Sequence, residues 1–275
     1  MKLRHLVISG AIGLGILSAA CPAVADGYSV CPGLPSQAAL QTALDAAVNA
    51  ASNGGLGFNM WGTIVATDGT VCAVAFSGSQ FSDQWLASRV ISAQKANTAN
   101  GLSLGEGSHM PASSHFPNGL ALSTANLYSA VQPGGSLYGL QHSNPVDPEV
   151  AYAANAVLFG TAHDPLVGTR VGGVNVFGGG LVLLAKGGIR VGGVGVSGDT
   201  SCTDHMVAWR VRNTLTLDHL GTVGGVSGDP AHPDNIIFDI KPSPDGGSGI
   251  SAGGFGHPTC LNPPDLSTLP AVRNP

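Results

Sequence analysis

Lys95 and Thr98 are the first side chains whose type and spacing could hold a ligand. They stand three residues apart, so in a helix they share one face. An ammonium beside a hydroxyl suits a carboxylate or propionate group. The alternative is that the lysine stem lies along a sheet while the ammonium pairs with an acid of the protein. The two residue types alone favour neither interpretation.

A glycine triplet, Gly178-Gly179-Gly180, precedes an apolar run. It could let a ligand or a neighbouring backbone approach closely, or it could form a β-bulge, which is the favoured interpretation. No Gly-Lys-Ser/Thr follows, so this is not a phosphate-binding loop. Ser197 lacks the Gly-x-Ser-x-Gly context of a nucleophile elbow and is interpreted as part of a turn that enters a helix.

The histidines are spread along the chain and do not form a compact metal-binding cluster. No Cys-x-x-Cys pair is present, which removes zinc ribbons, thioredoxin-type sites and c-type haem attachment. The sequence therefore predicts no structural metal.

The periodicity of apolar residues predicts helices and strands that would position these groups. Asp68-Gly69 predicts a type I′ hairpin turn, and Trp85 is predicted to face the core from the second helix. The predicted elements are a helix from Ser36 to about 52, strands at 58–66 and 71–76, a helix at 82–100, a short helix at 148–158, strands at 174–177, 181–184 and 189–196, a helix at 203–217 and a short strand at 236–240.

The N-terminus has the pattern of a cleavable export signal. Lys2 and Arg4 form a basic head, residues 6–20 carry no charge, and Ala23-Val24-Ala25 predicts cleavage before Asp26. The apolar run is shorter than the roughly 20 residues of a spanning helix. A retained anchor and acylation at Cys21 are the alternatives. The sequence thus predicts a secreted or periplasmic protein.

Charged residues make up 10% of the 275-residue chain, against about 25% in average soluble proteins. The formal net charge is −5. Affinity for nucleic acid or anionic membranes comes mainly from Lys and Arg, so those partners are excluded. The low charge content, together with the exposed edges and face that a single sheet leaves, predicts a homo-oligomer.

Four cysteines follow the leader: Cys31, Cys72, Cys202 and Cys260. An even number in an exported protein predicts two disulfides. Three pairings are possible. The order of the predicted elements favours Cys31–Cys72 and Cys202–Cys260, because the first would fix the mature N-terminus to the hairpin and the second would hold a Gly/Pro-rich tail at a helix mouth.

Three stretches resemble the GlcG/HbpS family of haem-binding proteins (DUF336, the haem-degrading domain). Residues 93–99 read Ala-Gln-Lys-Ala-Asn-Thr-Ala, residues 178–180 are the glycine triplet, and residues 193–198 read Gly-Val-Gly-Val-Ser-Gly, with Asp204 following. The resemblance covers about 36–219 and implies an α+β fold, a single antiparallel-type sheet with helices packed on it. The chain departs from the family by an irregular insertion at about 101–172, by Leu181 in place of a proline, and by a Gly/Pro-rich extension at 220–275. Residues 26–219 would form the family domain.

The resemblance implies haem, or another tetrapyrrole, as ligand. Haem takes an axial His, Met, Cys or Tyr, and His205 beside Asp204 is the leading candidate, followed by His109 and His115. The implied ligand-binding set is Lys95, Thr98, Gly178, Gly179, Gly180 and His205. The leading hypothesis is an exported haem-sequestering or haem-sensing protein, without a recognisable catalytic constellation. The alternatives are an enzyme or binding protein for a small hydroxy-acid-like metabolite, and a structural, self-assembling secreted module.

Overall fold

A computed structural model describes residues 31–107, 115–241, 243 and 249–274. The predicted leader with its cleavage before Asp26, the alternative acylation site Cys21 and the haem-ligand candidate His109 lie outside the described residues. Within them, no helix is long and apolar enough to cross a membrane.

The described part of the chain contains five α-helices and eight strands, joined by turns and short 3-10 helices. In chain order they are α1 Gln37–Val48, β1 Trp61–Ala66, β2 Val71–Phe76, α2 Ser88–Gly101, β3 Leu120–Ala121, α3 Leu127–Ala130, α4 Pro148–Ala151, β4 Gly180–Ala185, β5 Ile189–Ser197, α5 Ser201–Thr214, β6 Gly224–Gly225, β7 Ile240–Lys241 and β8 Ile250–Ser251.

The main sheet has four strands in the order β2-β1-β5-β4. Every neighbouring pair is antiparallel. Helices cover both faces, with α1 and α5 on one face and α2 on the other. The predicted α+β class, one antiparallel sheet with helices packed on it, is confirmed.

Alternation along β1 distributes its side chains between two cores. Ile64 packs with Leu40 and Leu44 of α1 on the first face. Trp61 and Val65 pack on the α2 face. Since all of these side chains are fully buried, the strand reads as a nearly continuous apolar run rather than as an alternating one.

Glycines in β5 allow α2 to lie directly on the sheet. A Cβ atom on Gly195 would be 1.9 Å from the Ser92 carbonyl oxygen, and one on Gly193 would be 2.3 Å from the Ala96 oxygen. Real Cβ atoms do not approach that closely, so larger residues would push the helix away. Part of the glycine pattern behind the family resemblance therefore serves helix–sheet packing.

Several local predictions are wrong, among them the helix at 148–158, of which only Pro148–Ala151 is α-helical. The turn at Asp68-Gly69 has a positive φ only at Gly69, and Gly69 donates to the Ala66 carbonyl, so it is a type I turn followed by a glycine bulge rather than type I′. Residues 174–177 form no strand, and residues 236–240 contribute only Ile240 to the two-residue β7.

The second helix starts at Ser88 rather than near residue 82, because a 3-10 turn at Phe81–Asp83 closes its own capping box with Gln80. Trp85 follows this turn and is 52% exposed. Its ring stacks edge-on against Phe58, so it covers a surface residue instead of entering the core.

The insertion and the tail are anchored to the family domain by apolar contacts. Leu166 and Val171 of the insertion are buried with Trp61 on the α2 face of the sheet. Ile236 of the tail packs with Cys202 at the start of α5. These segments carry little regular secondary structure, yet they supply part of the core.

Buried ion pairs connect the same segments. Arg89 on α2 pairs with Asp164 of the insertion, and both side chains are at most 3% exposed. Arg212 on α5 makes two hydrogen bonds to Asp234 of the tail, at 2.6 and 2.9 Å. Each cation lies on a long helix that packs on the sheet, and each acid lies in a segment with little regular secondary structure.

Two disulfides join the four cysteines. Cys31 is bonded to Cys72, with Cα atoms 5.6 Å apart, and Cys202 to Cys260, with Cα atoms 6.1 Å apart. These are the pairings that the order of the elements favours. The first fixes the segment before α1 to β2, and the second fixes the tail to the first turn of α5.

Candidate functional site

Lys95 lies at the centre of the region that the motifs define. It projects from α2, is fully buried, and its Nζ lies 2.6 Å from Asp204 Oδ2 and 3.0 Å from the Val196 carbonyl oxygen. The Phe177 ring covers the ammonium, with its centroid 4.0 Å from Nζ. The ammonium therefore has protein partners on several sides, as the alternative interpretation of this lysine expects.

Asp204 completes the ion pair from the first turn of α5. Its second oxygen, Oδ1, accepts hydrogen bonds from the backbone N–H groups of Gly198 and Asp199 at 3.1 and 2.9 Å. Burial raises the pKa of Asp204 to about 6, against the lowering effect of Lys95. Burial also lowers the pKa of Lys95. Asp204 thus joins α2, the end of β5 and α5 at one point.

The glycine triplet passes between α5 and α2. A Cβ atom on Gly178 would lie 2.2 Å from the Ser201 carbonyl oxygen, one on Gly179 2.2 Å from the Val196 oxygen, and one on Gly180 2.4 Å from the Lys95 oxygen. The close neighbour of this triplet is therefore protein backbone. The favoured bulge interpretation is replaced by close chain packing, and Gly180 is already the first residue of β4.

Thr98 and His205 are also used inside the protein. The Thr98 hydroxyl donates to the Gln94 carbonyl and accepts from the Asn175 N–H. His205 is fully buried, and its Nε2 lies 3.1 Å from both the Ile236 backbone nitrogen and the Asn235 Oδ1 atom. Burial lowers its pKa to about 4, so the ring is neutral at pH 7. Its Nδ1 has no hydrogen-bond partner among the described residues.

The fold therefore brings Lys95, Thr98, the glycine triplet and His205 into one buried region, but packs them against one another. A planar tetrapyrrole has no space among them in this arrangement. His205 remains a predicted haem ligand, but haem could reach its ring only if residues 235–236 moved away. His115, His142 and His163 are exposed.

A cavity of about 630 Å³ lies elsewhere, between the start of α3 and the two-stranded β7–β8 hairpin. Tyr128 and Gln132 line the side formed by the insertion. Ile240, Ile250 and Phe255 line the side formed by the tail. Its volume falls within the 300–1,000 Å³ range of ligand pockets. Its lining is mixed, with glycines and polar side chains beside the apolar ones.

Tyr128 connects this cavity to a buried histidine. Its ring packs against the His257 ring with centroids 5.0 Å apart. His257 Nε2 lies 2.7 Å from the Ser201 hydroxyl oxygen, and Nδ1 lies 2.7 Å from the Pro258 carbonyl oxygen. The carbonyl can only accept, so Nδ1 carries the proton and Ser201 donates to Nε2. Burial lowers the pKa of His257.

The sequence analysis did not consider Tyr128, because the haem-ligand candidates that it selected were all histidines. Tyrosine is an axial ligand in some haem proteins, and the chain has only four tyrosines. A survey of tyrosines in the insertion would have included it. The cavity itself is formed by segments more than 100 residues apart, which no local pattern reveals.

Comparison with known proteins agrees with the motif resemblance. A family model described as haem-degrading protein HbpS-like matches residues 36–212. No curated protein sequence matches significantly. Among solved structures, the chain is similar to the DUF336 protein ORFY of Klebsiella pneumoniae, with 23% identity over 66% of this chain and 90% of that one and a TM-score of 0.39.

Two further structures are similar. The PduOC–haem complex has 22% identity over 64% of this chain and 89% of that one, with a TM-score of 0.40. HbpS has 19% identity over 64% and 86%, with a TM-score of 0.37. Because the family model spans well over half of the sequence, the protein belongs to the HbpS-like family of haem-degrading proteins.

Proposed function

We propose that this protein is exported and binds haem in the cavity between the insertion and the tail, with Tyr128 as the axial ligand. Family membership supports haem as the ligand class. The observation that carries the site is that Tyr128, a side chain of a haem-ligating type, lines a cavity of about 630 Å³ together with Ile240, Ile250 and Phe255.

The composition of the cavity suits the two parts of a haem. Ile240, Ile250 and Phe255 offer apolar contacts to the macrocycle. Gln132 and Ser136 are polar side chains of the same lining and are available to hydrogen-bond the propionates. In the motif region, by contrast, Lys95 and His205 are fully buried and have no exposed surface for a ligand to contact.

Titration of residues 26–275 with haemin, followed by Soret absorbance, tests the proposal. We expect a saturable Soret shift, and a weaker or spectrally altered complex in Tyr128→Phe. Tyr152→Phe is the matched control, because Tyr152 is 71% exposed and outside the cavity lining. No shift in the wild type would refute haem binding, whereas identical spectra in wild type and Tyr128→Phe would refute only the site.

The same titration distinguishes between Tyr128 and His205 as the axial ligand. Under the cavity proposal, His205→Ala and the exposed-histidine control His163→Ala bind haemin equally well. A larger loss in His205→Ala would instead place the ligand in the buried motif region. Decay of the Soret band after addition of a reductant and O₂ would extend the function to haem degradation, the activity for which the family is named.

Export is supported by the two closed disulfides, which persist in oxidising compartments. We infer that the mature chain begins at Asp26. Expression of the full gene with a C-terminal tag, followed by N-terminal sequencing of the extracytoplasmic protein, should give Asp26 as the first residue. Recovery of the intact chain from the cytoplasm, with four free thiols, would contradict the proposal.

A further inference from the structure

The Cys202–Cys260 disulfide has a histidine beside it. His257 Nδ1 lies 4.0 Å from Cys202 Sγ. The ligand atoms of these three residues all lie within 4.8 Å of one another. Within the described residues, this is the only group of three His, Cys, Asp or Glu side chains that close together. The group does not include the proposed haem ligand Tyr128, although the Tyr128 ring packs against the His257 ring.

The distances are close to those of a tetrahedral zinc site. Zinc–sulfur bonds of about 2.3 Å and zinc–nitrogen bonds of about 2.0 Å place a thiolate and an imidazole nitrogen roughly 3.5 Å apart. The observed 4.0 Å separation needs an adjustment of about half an ångström. Once the disulfide is reduced, its two sulfurs are free to separate to a similar distance. Three protein ligands with a water molecule in the fourth position are a known zinc arrangement.

The surroundings also suit such a site. Cys202 is in the first turn of the 14-residue α5, where the helix dipole favours a thiolate. His257 Nε2 already contacts the Ser201 hydroxyl at 2.7 Å. Metal binding at Nδ1 requires this nitrogen to give up its hydrogen bond to the Pro258 carbonyl. The ring proton then moves to Nε2, which donates a hydrogen bond to the Ser201 hydroxyl, the outer-shell contact that ligating histidines generally make. Cys260 is half-buried, so a reductant can reach the bond.

We propose that reduction of this disulfide converts Cys202, Cys260 and His257 into a binding site for Zn²⁺ or a similar divalent cation. A reductant such as a phosphine supplies two electrons and is itself oxidised, while the two sulfurs take up two protons and become thiols. Metal binding then displaces those two protons as both thiolates coordinate. In the oxidised protein the sulfurs are bonded to each other, so the site exists only after reduction.

The test uses residues 26–275, reduced anaerobically with a phosphine and titrated with Co²⁺. We expect a thiolate-to-cobalt charge-transfer band that saturates at one equivalent and disappears when Zn²⁺ is added. The oxidised protein should give no band. Zn²⁺ should also protect Cys202 and Cys260 from alkylation, while Cys31 and Cys72 are modified.

Matched variants locate the site. Cys31→Ser/Cys72→Ser removes the other cysteine pair and should keep the band, whereas Cys202→Ser/Cys260→Ser should abolish it. Ser201→Ala should weaken Co²⁺ binding about 10- to 100-fold through the outer shell, and His257→Ala should weaken it further. Retention of the band in Cys202→Ser/Cys260→Ser would overturn the proposal.

Near-UV circular dichroism controls for loss of the fold on reduction. If the reduced protein keeps its native spectrum but gives no cobalt band, the proposal is refuted. If reduction removes the native spectrum, metal binding at this site should restore it, and failure to restore it refutes the proposal equally. Haemin binding by the oxidised protein is unaffected by either result, so the two proposals fail separately.

Discussion

Asp234→Asn removes one charge from the ion pair that joins the tail to α5. Arg212 and Asp234 are fully buried, and two hydrogen bonds connect the guanidinium to the two carboxylate oxygens at 2.6 and 2.9 Å. Asparagine keeps the shape of the side chain and one acceptor oxygen. The substitution therefore tests the charge rather than the packing, and it leaves the Arg212 guanidinium buried without a counter-charge.

The expected cost is large compared with the total stability. Breaking a buried ion pair by removing one partner costs about 3–5 kcal/mol, out of roughly 5–15 kcal/mol for a typical domain. In a chain of this size, each kcal/mol lowers Tm by about 2–4 °C. We therefore expect Tm to fall by about 6–20 °C. Replacing both partners, as in Arg212→Met/Asp234→Leu, should recover most of the loss because no charge stays buried.

Urea unfolding followed by circular dichroism measures the effect. The control is Asp68→Asn, because Asp68 pairs with Arg170 at the surface, where the arginine side chain is 66% exposed. Exposed pairs contribute about 0–1 kcal/mol. The reasoning would be refuted if Asp234→Asn lost less than about 1 kcal/mol of unfolding free energy, similar to the control. Such a result would show that Arg212 is more accessible to solvent than it is in the structure.

Three further predictions follow from the structure. In urea unfolding, Gly179→Ala should destabilise the protein far more than Gly139→Ala. Both glycines have a positive φ, but only at Gly179 would the added Cβ lie 2.2 Å from a backbone oxygen. Equal losses of unfolding free energy in the two variants would contradict the packing argument. The folded pKa of His205 lies at about 4, below the ordinary 6.5, so its contribution to stability is present above pH 6.5 and lost as the pH falls towards 4. The unfolding free energy of the wild type should accordingly fall more over that window than that of His205→Gln, and parallel curves would exclude the histidine as the cause. Light scattering of the mature chain at micromolar concentration should give a multiple of the monomer mass, and a monomer would remove the expected oligomer.

The sheet and its long helices could be predicted because their signals are local. Apolar runs at 71–76 and 189–196 and the helical spacing after residue 203 correspond to β2, β5 and α5 within a few residues. Trp85 is a residue for which prediction from the local sequence pattern fails. Its apolar side chain fits the pattern of a buried helix face, but the Gln80–Asp83 capping box forms a separate turn before the helix.

The candidate site could be predicted only in part, because its contacts are not local. Lys95 and Asp204 are 109 residues apart, and both stand in the stretches that carry the family resemblance. The motifs therefore identified a true cluster. They could not show that Phe177, Asn175 and Ile236 close over it, since these residues belong to segments without a recognisable pattern.

Two buried ion pairs connect the irregular segments at 101–172 and 220–275 to the helices that pack on the sheet. Arg89 and Arg212 are two of the eleven basic residues in the chain, and both are buried, where a guanidinium needs a counter-charge. Asp164 and Asp234 supply that charge, and Trp209 of α5 donates to the Pro270 carbonyl of the tail. A chain ending at residue 219 would lose both tail partners and leave α5 with an unpaired guanidinium. We therefore expect removal of residues 220–275 to destabilise the packing of α5 on the sheet.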